Sequence, residues 1–321
     1  MRLFGVAMVR NEADVIEAFV RHNLSVLDGL AIVDHGSLDA TGDILAKLQA
    51  ENLPLHVERD ERPEYFQSAR MTALVRETLR HERADFVFAL DADEFLKCAS
   101  RETLEQALRE VQSGMHAVAH WLTYVPDTFD AGAAFGQGHL RRRLRIERRT
   151  LYKAVVGRNF VERAADVLVM GNHLVSDPAH PEPPPHARLR ADVVAVAHCP
   201  VRSRGQLESK IVIGYLAHLA SGPTRRDLAF HWRRLYEELR SGGILTPARL
   251  RDIACNYGVQ PRLWEPADTV ELIEDPVRLA FDARYPPPPS IETLQLLMRF
   301  TETLARGRVN APPETDNGRP R

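Results

Sequence analysis

The sequence predicts an α/β fold with a mostly parallel central sheet, followed by a helical C-terminal region. Over the first 97 residues, continuous apolar runs alternate with segments of helical periodicity. Such runs are typical of parallel strands that helices cover on both faces. After residue 198 the periodicity becomes helical. With 321 residues, 44% of them hydrophobic, the chain is long enough for one large domain and a smaller appendage.

Four predicted strands and three predicted helices alternate in the first part of the chain. The strands are 3–9, 30–33, 53–57 and 86–90, and the helices are centred on 15–27, 44–48 and 71–79. We expect Gly29 to end the first helix, and Asp39 or Thr41 to cap the second. In sheets of this kind, ligands bind outside the carboxyl ends of the strands. The polar residues that follow these strands are therefore the candidates for a site.

The rest of the chain is predicted to start with mixed structure and to continue as helices. A helix over 103–111 and strands over 117–125, 151–156 and 193–197 precede helices over 207–219, 225–240, 247–257 and 291–304. The proline-rich segment 177–185 is predicted to be a loop. We expect a first domain over residues 1–215, a helical region over 216–305 and a disordered tail over 306–321.

Charge and cysteine content limit the partners and the compartment. The chain has 42 Lys+Arg against 44 Asp+Glu, so we expect no nucleic-acid partner. The lysines are Lys47, Lys97, Lys153 and Lys210, and all other basic residues are Arg. The three cysteines match no metal or redox spacing, and no apolar segment has the length of a membrane span or the features of a signal peptide. We therefore expect a cytoplasmic protein.

The strongest candidate site is the segment Asp91-Ala92-Asp93-Glu94-Phe95, directly after the fourth predicted strand. Two ionised carboxylates at the end of a buried strand are unfavourable unless they are paired. A Mg²⁺ or Mn²⁺ ion would neutralise them and bridge the phosphates of a substrate. The alternative is that Asp91 or Asp93 caps the following segment while Glu94 is solvated.

Two further polar segments follow the first and second predicted strands. In the segment 34–41, Asp34 can accept hydrogen bonds from a ribose or a base edge, whereas Ser37 and Thr41 are expected to cap the next helix. The segment Arg10-Asn11-Glu12 follows the first strand and faces the same edge of the sheet. For this segment the alternative is a surface ion pair between its arginine and its glutamate, which would contribute little.

Together these segments resemble a known family. Val-Arg-Asn-Glu at 9–12, Asp-His-Gly-Ser-Leu-Asp-Ala-Thr at 34–41 and Leu-Asp-Ala-Asp-Glu-Phe at 90–95 resemble the motifs of nucleotide-sugar-dependent glycosyltransferases of the GT-A fold. The resemblance is closest to the family-2-like bacterial branch with an Asp-x-Asp-Glu-Phe motif. It is strong over residues 3–97 and weak over 98–215. It implies a Rossmann-like GT-A fold, with residues 1–215 as the catalytic domain.

The resemblance also implies an activity and the residues that carry it. The activity is metal-dependent, inverting transfer of a sugar from a nucleoside-diphosphate donor to a hydroxyl of a glycan or lipid-linked acceptor, as in cell-surface glycan synthesis. The implied ligands of the nucleotide and its diphosphate are Asn11, Glu12, Asp34, Arg70, Asp91 and Lys210. Those of a Mn²⁺ or Mg²⁺ ion are Asp91, Asp93 and His198. Asp127 is the first choice for the catalytic base, Glu94 is a catalytic or acceptor-side candidate, and Glu162 is a second candidate base.

Other interpretations of these residues stay open. The basic residues Arg141–Arg143 and Arg148–Arg149 predict either contact with an anionic acceptor or peripheral association with a membrane, or only the solvated face of a strand pair. A Mg²⁺-dependent phosphotransferase or phosphatase with Asp91 as nucleophile is an alternative enzyme. In that class of enzyme, however, the Asp-x-Asp motif is expected after the first strand, and Thr or Val is expected at the position that Phe95 occupies here. The third interpretation is a non-catalytic module that binds a nucleotide or a glycan.

Overall fold

A computed structural model of the chain describes residues 1–129, 135–136, 138–180, 182–222, 230–279, 281, 283–286 and 292–309. The strands are β1 (Leu3–Val9), β2 (Gly29–Asp34), β3 (Leu55–Arg59), β4 (Phe86–Leu90), β5 (Glu94–Cys98), β6 (His116–Thr123), β7 (Arg142–Leu144), β8 (Tyr152–Gly157), β9 (Val167–Leu168), β10 (Val175–Ser176), β11 (His186–Arg188), β12 (Val194–His198) and β13 (Leu272–Glu274). The helices are α1 (Ile16–Leu24), α2 (Thr41–Ala50), α3 (Gln67–His81), α4 (Arg101–Arg109), α5 (Arg204–Ala220), α6 (Phe230–Arg240), α7 (Pro247–Cys255) and α8 (Thr293–Val309).

The central sheet has the strand order β3-β2-β1-β4-β8-β6-β12-β5, and β11 pairs with β6. Pairing is parallel within β3-β2-β1-β4 and between β6 and β12, whereas β8 and β5 run antiparallel to their neighbours. The predicted α/β class with a mostly parallel sheet is confirmed. Because β1, β2 and β4 are parallel, their carboxyl ends lie at one edge, where the candidate residues follow them.

Side chains that alternate along the strands pack against helices on the two faces. On one face, Leu3 and Ala7 pack in the cluster that contains α1 and α2. On the other face, Phe4 and Val6 pack against α3. Burial of both faces explains why the strands of the first part of the chain have no polar alternation.

Most elements lie where the periodicity predicts them, and two local predictions are wrong. Helix α1 ends at Leu24, so Gly29 does not end it and instead begins β2. A Cβ atom on Gly29 would lie 2.6 Å from Cε1 of Phe4, so the close approach of β1 requires glycine here. The strand β5, which pairs with β12, was not predicted, because its five residues directly follow the acidic turn and carry no strand signal of their own.

The C-terminal part of the chain packs as helices against the sheet domain. Helix α8 contacts α5 and extends to residue 309. Residues 310–321 of the predicted tail lie outside the described part of the chain, and the tail stays a prediction. Residue 215 lies within α5, and the division into domains stays a prediction. In the described part, no helix combines the length and the apolar character that crossing a bilayer requires.

Candidate active site

The acidic turn after β4 brings its carboxylates to the end of β12. The turn closes with a hydrogen bond from the backbone N of Glu94 to the carbonyl of Asp91, 3.1 Å long. Strand β5 then returns antiparallel to β12, which places Glu94 opposite His198 in the strand register. The backbone N of Cys199 donates to the carbonyl of Asp93 at 2.9 Å. Residues more than 100 positions apart in sequence therefore meet at one edge of the sheet.

The side chain of Asp91 is held by three donors. Its Oδ2 lies 2.5 Å from Nζ of Lys153, and its Oδ1 accepts hydrogen bonds from Gln67 at 3.2 Å and from Asn172 at 3.1 Å. Lys153 is 1% exposed and lies 2.9 Å from Oε1 of Glu94 as well. Burial disfavours the charged ammonium, but Asp91 and Glu94 outweigh this effect and raise the pKa of Lys153.

Asp93 is buried among positively charged groups. Its Oδ2 lies 2.6 Å from Nζ of Lys210, 3.6 Å from Nε2 of His198 and 3.7 Å from Nη1 of Arg202. Burial alone would raise the pKa of this carboxyl, but Lys210 and the other two partners lower it well below the ordinary value. Asp93 is therefore ionised throughout the neutral range.

Arg202 connects Asp93 to the end of β1. This side chain is 1% exposed, and it pairs with Glu12 and, at 2.6 Å, with Asp14. Burial raises the pKa of Glu12 to about 7, against the attraction of Arg202. The alternative of a surface ion pair between Arg10 and Glu12 is wrong, because Arg10 instead donates to backbone carbonyls, among them that of Arg62 at 3.1 Å.

Glu94 is fully buried, so the alternative in which it is solvated is wrong. Its Oε2 accepts a hydrogen bond from the backbone N of Asp91 at 2.9 Å. Burial raises the pKa of Glu94 to about 8, although Lys153 acts in the opposite direction. Without a further positive charge, this carboxyl is largely protonated at neutral pH.

The residues that fit a divalent cation are Asp93, Glu94 and His198. Each offers one ligand atom, and these atoms lie within 4.8 Å of one another. Burial lowers the pKa of His198 to about 4, so its imidazole is neutral, which is the form that binds metals. The predicted ligands were Asp91, Asp93 and His198. Glu94, and not Asp91, belongs to the group whose ligand atoms lie within 4.8 Å of one another, and the choice between these two carboxylates stays a prediction. Carboxylate oxygens with one imidazole suit Mn²⁺.

The residues around this group carry an excess of negative charge that a divalent cation would balance. The carboxylates of the cluster are those of Glu12, Asp14, Asp91, Asp93 and Glu94. They meet three cationic side chains, those of Lys153, Arg202 and Lys210. With all groups ionised, the carboxylates exceed the cations by two charges. A divalent cation would balance this excess, and would also favour the ionised form of Glu94.

Asn11 and Asp34 lie at the ends of β1 and β2 and connect the two loops. Asn11 adopts a φ of 55°, and its Oδ1 accepts from the backbone N of Leu38 at 2.7 Å. Oδ1 of Asp34 accepts from the backbone N of Ser37 at 2.9 Å, and its Oδ2 lies 3.2 Å from Nη1 of Arg59. Asp34 is 2% exposed at this edge, where the sequence predicts a ribose or a base.

Capping of α2 differs from the prediction for Ser37 and Thr41. Asp39 supplies the acceptor, because its Oδ1 binds both the backbone N of Thr41 at 2.9 Å and its hydroxyl at 2.6 Å. Thr41 Oγ1 in turn accepts from the backbone N of Glu12 at 2.8 Å, and Ser37 Oγ accepts from that of Asn11 at 3.1 Å. Both hydroxyl groups therefore fix the loop after β1.

Two predicted site residues are engaged elsewhere. Arg70 pairs with Glu58 and with Asp60 at the end of β3, and is not part of the charged cluster. Asp127 pairs with Arg142 at 2.7 Å and with Arg141 at 3.4 Å. The structure thus brings six predicted residues into one cluster, namely Glu12, Asp91, Asp93, Glu94, His198 and Lys210.

Sequence reasoning missed two cations of the cluster, Lys153 and Arg202. A signal for Lys153 was present, because it is one of only four lysines and interrupts the apolar run 151–156. A buried lysine within a strand needs a carboxylate partner, which the acidic turn supplies. Arg202 carried no comparable signal among the many arginines of the chain.

The basic stretch around β7 is neutralised by acidic side chains. Arg141 pairs with Glu274, Arg143 with Asp275 and Arg145 with Glu271, along the antiparallel pair of β7 and β13. This arrangement favours the solvated strand pair over contact with an anionic acceptor or a membrane.

Known proteins resemble parts of this chain. Residues 6–160 match the family described as "Glycosyl transferase family 2". Among solved structures, S. aureus TarS 1-349 is 13% identical with a TM-score of 0.36, covering 79% of this chain and 69% of that one. Mannosyltransferase PcManGT from Pyrobaculum calidifontis, in complex with GDP-Man and Mn²⁺, is 17% identical with a TM-score of 0.33, covering 84% and 82%. No curated protein sequence matches the chain.

Proposed function

We propose that this chain, of which residues 6–160 match glycosyl transferase family 2, moves a sugar from a nucleoside-diphosphate donor to an acceptor hydroxyl in a metal-dependent, inverting reaction. The donor's diphosphate binds at the charged cluster. Asp93, Glu94 and His198 would hold the divalent cation, which is supported by the spacing of their ligand atoms, within 4.8 Å of one another.

One observation carries this proposal. Three cationic side chains, the buried Lys153 and Arg202 and the partly exposed Lys210, meet the acidic turn at the carboxyl edge of the parallel strands. Cations at this edge are suited to a ligand whose negative charge increases during the reaction. A nucleoside diphosphate that leaves a sugar is such a ligand.

The residues of the cluster have separate tasks in this reaction. The acceptor oxygen attacks the anomeric carbon while the bond from that carbon to the phosphate oxygen breaks, and the single step inverts the configuration. The metal, when bound, supplies Lewis-acid stabilisation of the leaving diphosphate. Lys210 adds a fixed positive charge beside Asp93. Lys153 holds Asp91 in place.

As the base that takes the acceptor proton we propose Asp127. Strand β6 runs parallel to β12, and Thr123 pairs with His198, so the residues after β6 lie at the same edge as the cluster. Asp127 follows four positions later, and Arg141 and Arg142 hold its carboxylate. Glu94, by contrast, is fully buried, and its ligand atom lies within 4.8 Å of those of Asp93 and His198, which supports a role in holding the metal and not contact with the acceptor.

The alternative phosphotransferase, with Asp91 as nucleophile, is not favoured. The acidic turn follows β4 and not the first strand, and Phe95 stands where that class of enzyme is expected to carry Thr or Val.

A donor screen tests the proposed function. Purified protein is assayed with a panel of nucleotide sugars, including GDP-mannose and UDP-sugars, with Mn²⁺, with Mg²⁺ and with a chelator. We expect turnover of one donor class that the chelator abolishes. If no nucleotide sugar is bound or hydrolysed under any condition, or if generic phosphoesters are hydrolysed instead, the proposal is wrong.

A further inference from the structure

A pocket of about 600 Å³ opens between the end of β2 and the C-terminal helix α8. Asp34, Gly42 and Arg59 line one side, and Arg299 and Thr303 of α8 line the other. The pocket therefore joins the first strands of the chain to its last helix. Neither the family match, which ends at residue 160, nor the sequence motifs include α8.

Helix α8 is packed firmly beside this pocket. Phe300 is 2% exposed and packs with Leu296 and Ile213 of α5. Nη1 of Arg299 donates to the carbonyl of Leu38 at 2.6 Å, which ties the helix to the loop after β2. Because the buried side of α8 packs against α5 and Arg299 bonds to the loop after β2, its pocket-facing residues form a wall with a defined position.

The pocket lies at the right distance from the charged cluster for a nucleotide. Strands β2 and β4 are separated only by β1, so their ends are two strand spacings, about 10 Å, apart. In the register, Asp34 is opposite Val9 of β1, and Leu90, the last residue of β4, is opposite Ala7. A ribose near Asp34 can therefore place its diphosphate near the acidic turn.

The groups around the pocket suit a nucleoside. Asp34 offers an acceptor for a hydroxyl or a base N–H, and Arg59 and Arg299 offer donors. A Cβ atom on Gly42 would lie 3.2 Å from Oδ2 of Asp34 and 3.4 Å from Nη1 of Arg59, so glycine leaves space for this pair at the wall of the pocket. Acidic and basic side chains are mixed here, which favours a polar neutral group over a phosphate.

We infer that α8 forms one wall of the nucleoside subsite of the donor, and that Thr303 and Arg299 contribute to the choice of nucleotide. The inference rests on the proposed function. It assigns to the C-terminal helix a part in donor binding, on the side of the pocket opposite Asp34.

Two matched threonines of α8 provide the test. Thr303 lines the pocket, whereas Thr301 is exposed and does not. Both hydroxyls donate to a carbonyl of their own helix, at 3.0 Å and 2.8 Å. Thr303→Trp should fill the pocket and weaken binding of the preferred nucleoside diphosphate, measured by calorimetry, at least tenfold. Thr301→Trp should bind as the unchanged protein does.

A second pair on α2 keeps the test independent of the folding of α8. Ala46 lines the pocket and Ala50 does not, and both are exposed. Ala46→Trp should weaken nucleotide binding, and Ala50→Trp should leave it unchanged, with thermal melts showing that both proteins fold.

The outcomes separate the inference from the proposed function. If the unchanged protein binds no nucleoside diphosphate from a panel of UDP, GDP, CDP and ADP, the proposed function fails. If it binds one of them and both pocket-filling variants bind it equally well, only the inference about α8 is overturned.

Discussion

The two halves of the central sheet are built differently. In β3-β2-β1-β4 every pairing is parallel, and the strands are joined through α1, α2 and α3 in chain order. In β8-β6-β12-β5 parallel and antiparallel pairings are mixed, and neighbouring strands come from distant parts of the chain. The first half is assembled from local units, and the second half depends on long-range contacts.

The two halves of the sheet contribute side chains of opposite charge to the candidate site. The carboxylates of the acidic turn and of Glu12 follow strands of the first half, whereas Lys153, Arg202 and Lys210 come from the second half or from the residues after it. The site is therefore complete only when both halves have folded against each other. Variants of the two halves of the sheet therefore test different properties of the site.

The largest effect is expected for Asp93→Asn, which removes a proposed metal ligand from the first half. Turnover should fall on the order of 10³-fold, because the charge that holds the cation and orders Lys210 is lost. Steady-state assays of donor hydrolysis measure this effect. Asp192→Asn, which removes an exposed carboxylate that pairs with Arg190, is the control and should retain full activity. Normal turnover of the Asp93 variant would contradict the metal assignment.

Asp127→Asn tests the proposed base, which follows a strand of the second half. Sugar transfer should fall about 10²–10⁴-fold, while the affinity for the nucleotide stays unchanged, because a general base acts on the acceptor and not on the donor. Glu274→Gln is the matched control, since it also removes an ion pair of Arg141. Equal transfer rates in the two variants would remove Asp127 from catalysis.

Lys153→Met tests whether a cationic side chain of the second half of the sheet neutralises the carboxylates of the acidic turn. It removes the buried cation that pairs with Asp91 and bonds to Glu94, so we expect the free energy of unfolding to fall by about 3–5 kcal/mol in urea titrations. Adding Asp91→Asn should restore part of this loss. In the control variant Lys97→Met, the replaced lysine is partly exposed and pairs with Asp275. Its free energy of unfolding should fall by about 1 kcal/mol or less. Equal losses in both lysine variants would contradict the buried-cluster description.

The smallest effect is a change in pH dependence. The pKa of Glu94 is raised to about 8 in the folded state, so between about pH 5 and 8 the folded protein binds more protons than the unfolded chain. Its contribution to stability is present at low pH and is lost as the pH rises through 8. In metal-free protein, Glu94→Gln should reduce the loss of stability between pH 5 and 8, as measured by urea unfolding. An unchanged slope would show that Glu94 does not titrate in this range.

Prediction from sequence succeeded where the signal was local. The strands 3–9 and 86–90 were predicted with the bounds that the structure has, because each is an apolar run between turn residues. Asp93 and His198 were predicted as neighbours from the resemblance to a family. The five residues of β5 and the two-residue strands β9 and β10 were missed, because their pairing depends on distant partners.

The sequence by itself determined the α/β class and the edge of the sheet at which polar residues collect, because strand and helix periods and the residues that follow each strand are local properties. Only the tertiary structure decided that Lys153 engages Asp91, that Glu94 joins Asp93 and His198, and that α8 lines the pocket beside Asp34. Such pairings depend on where residues far apart in the chain meet, and buried charges select partners by proximity in space, which no local pattern encodes.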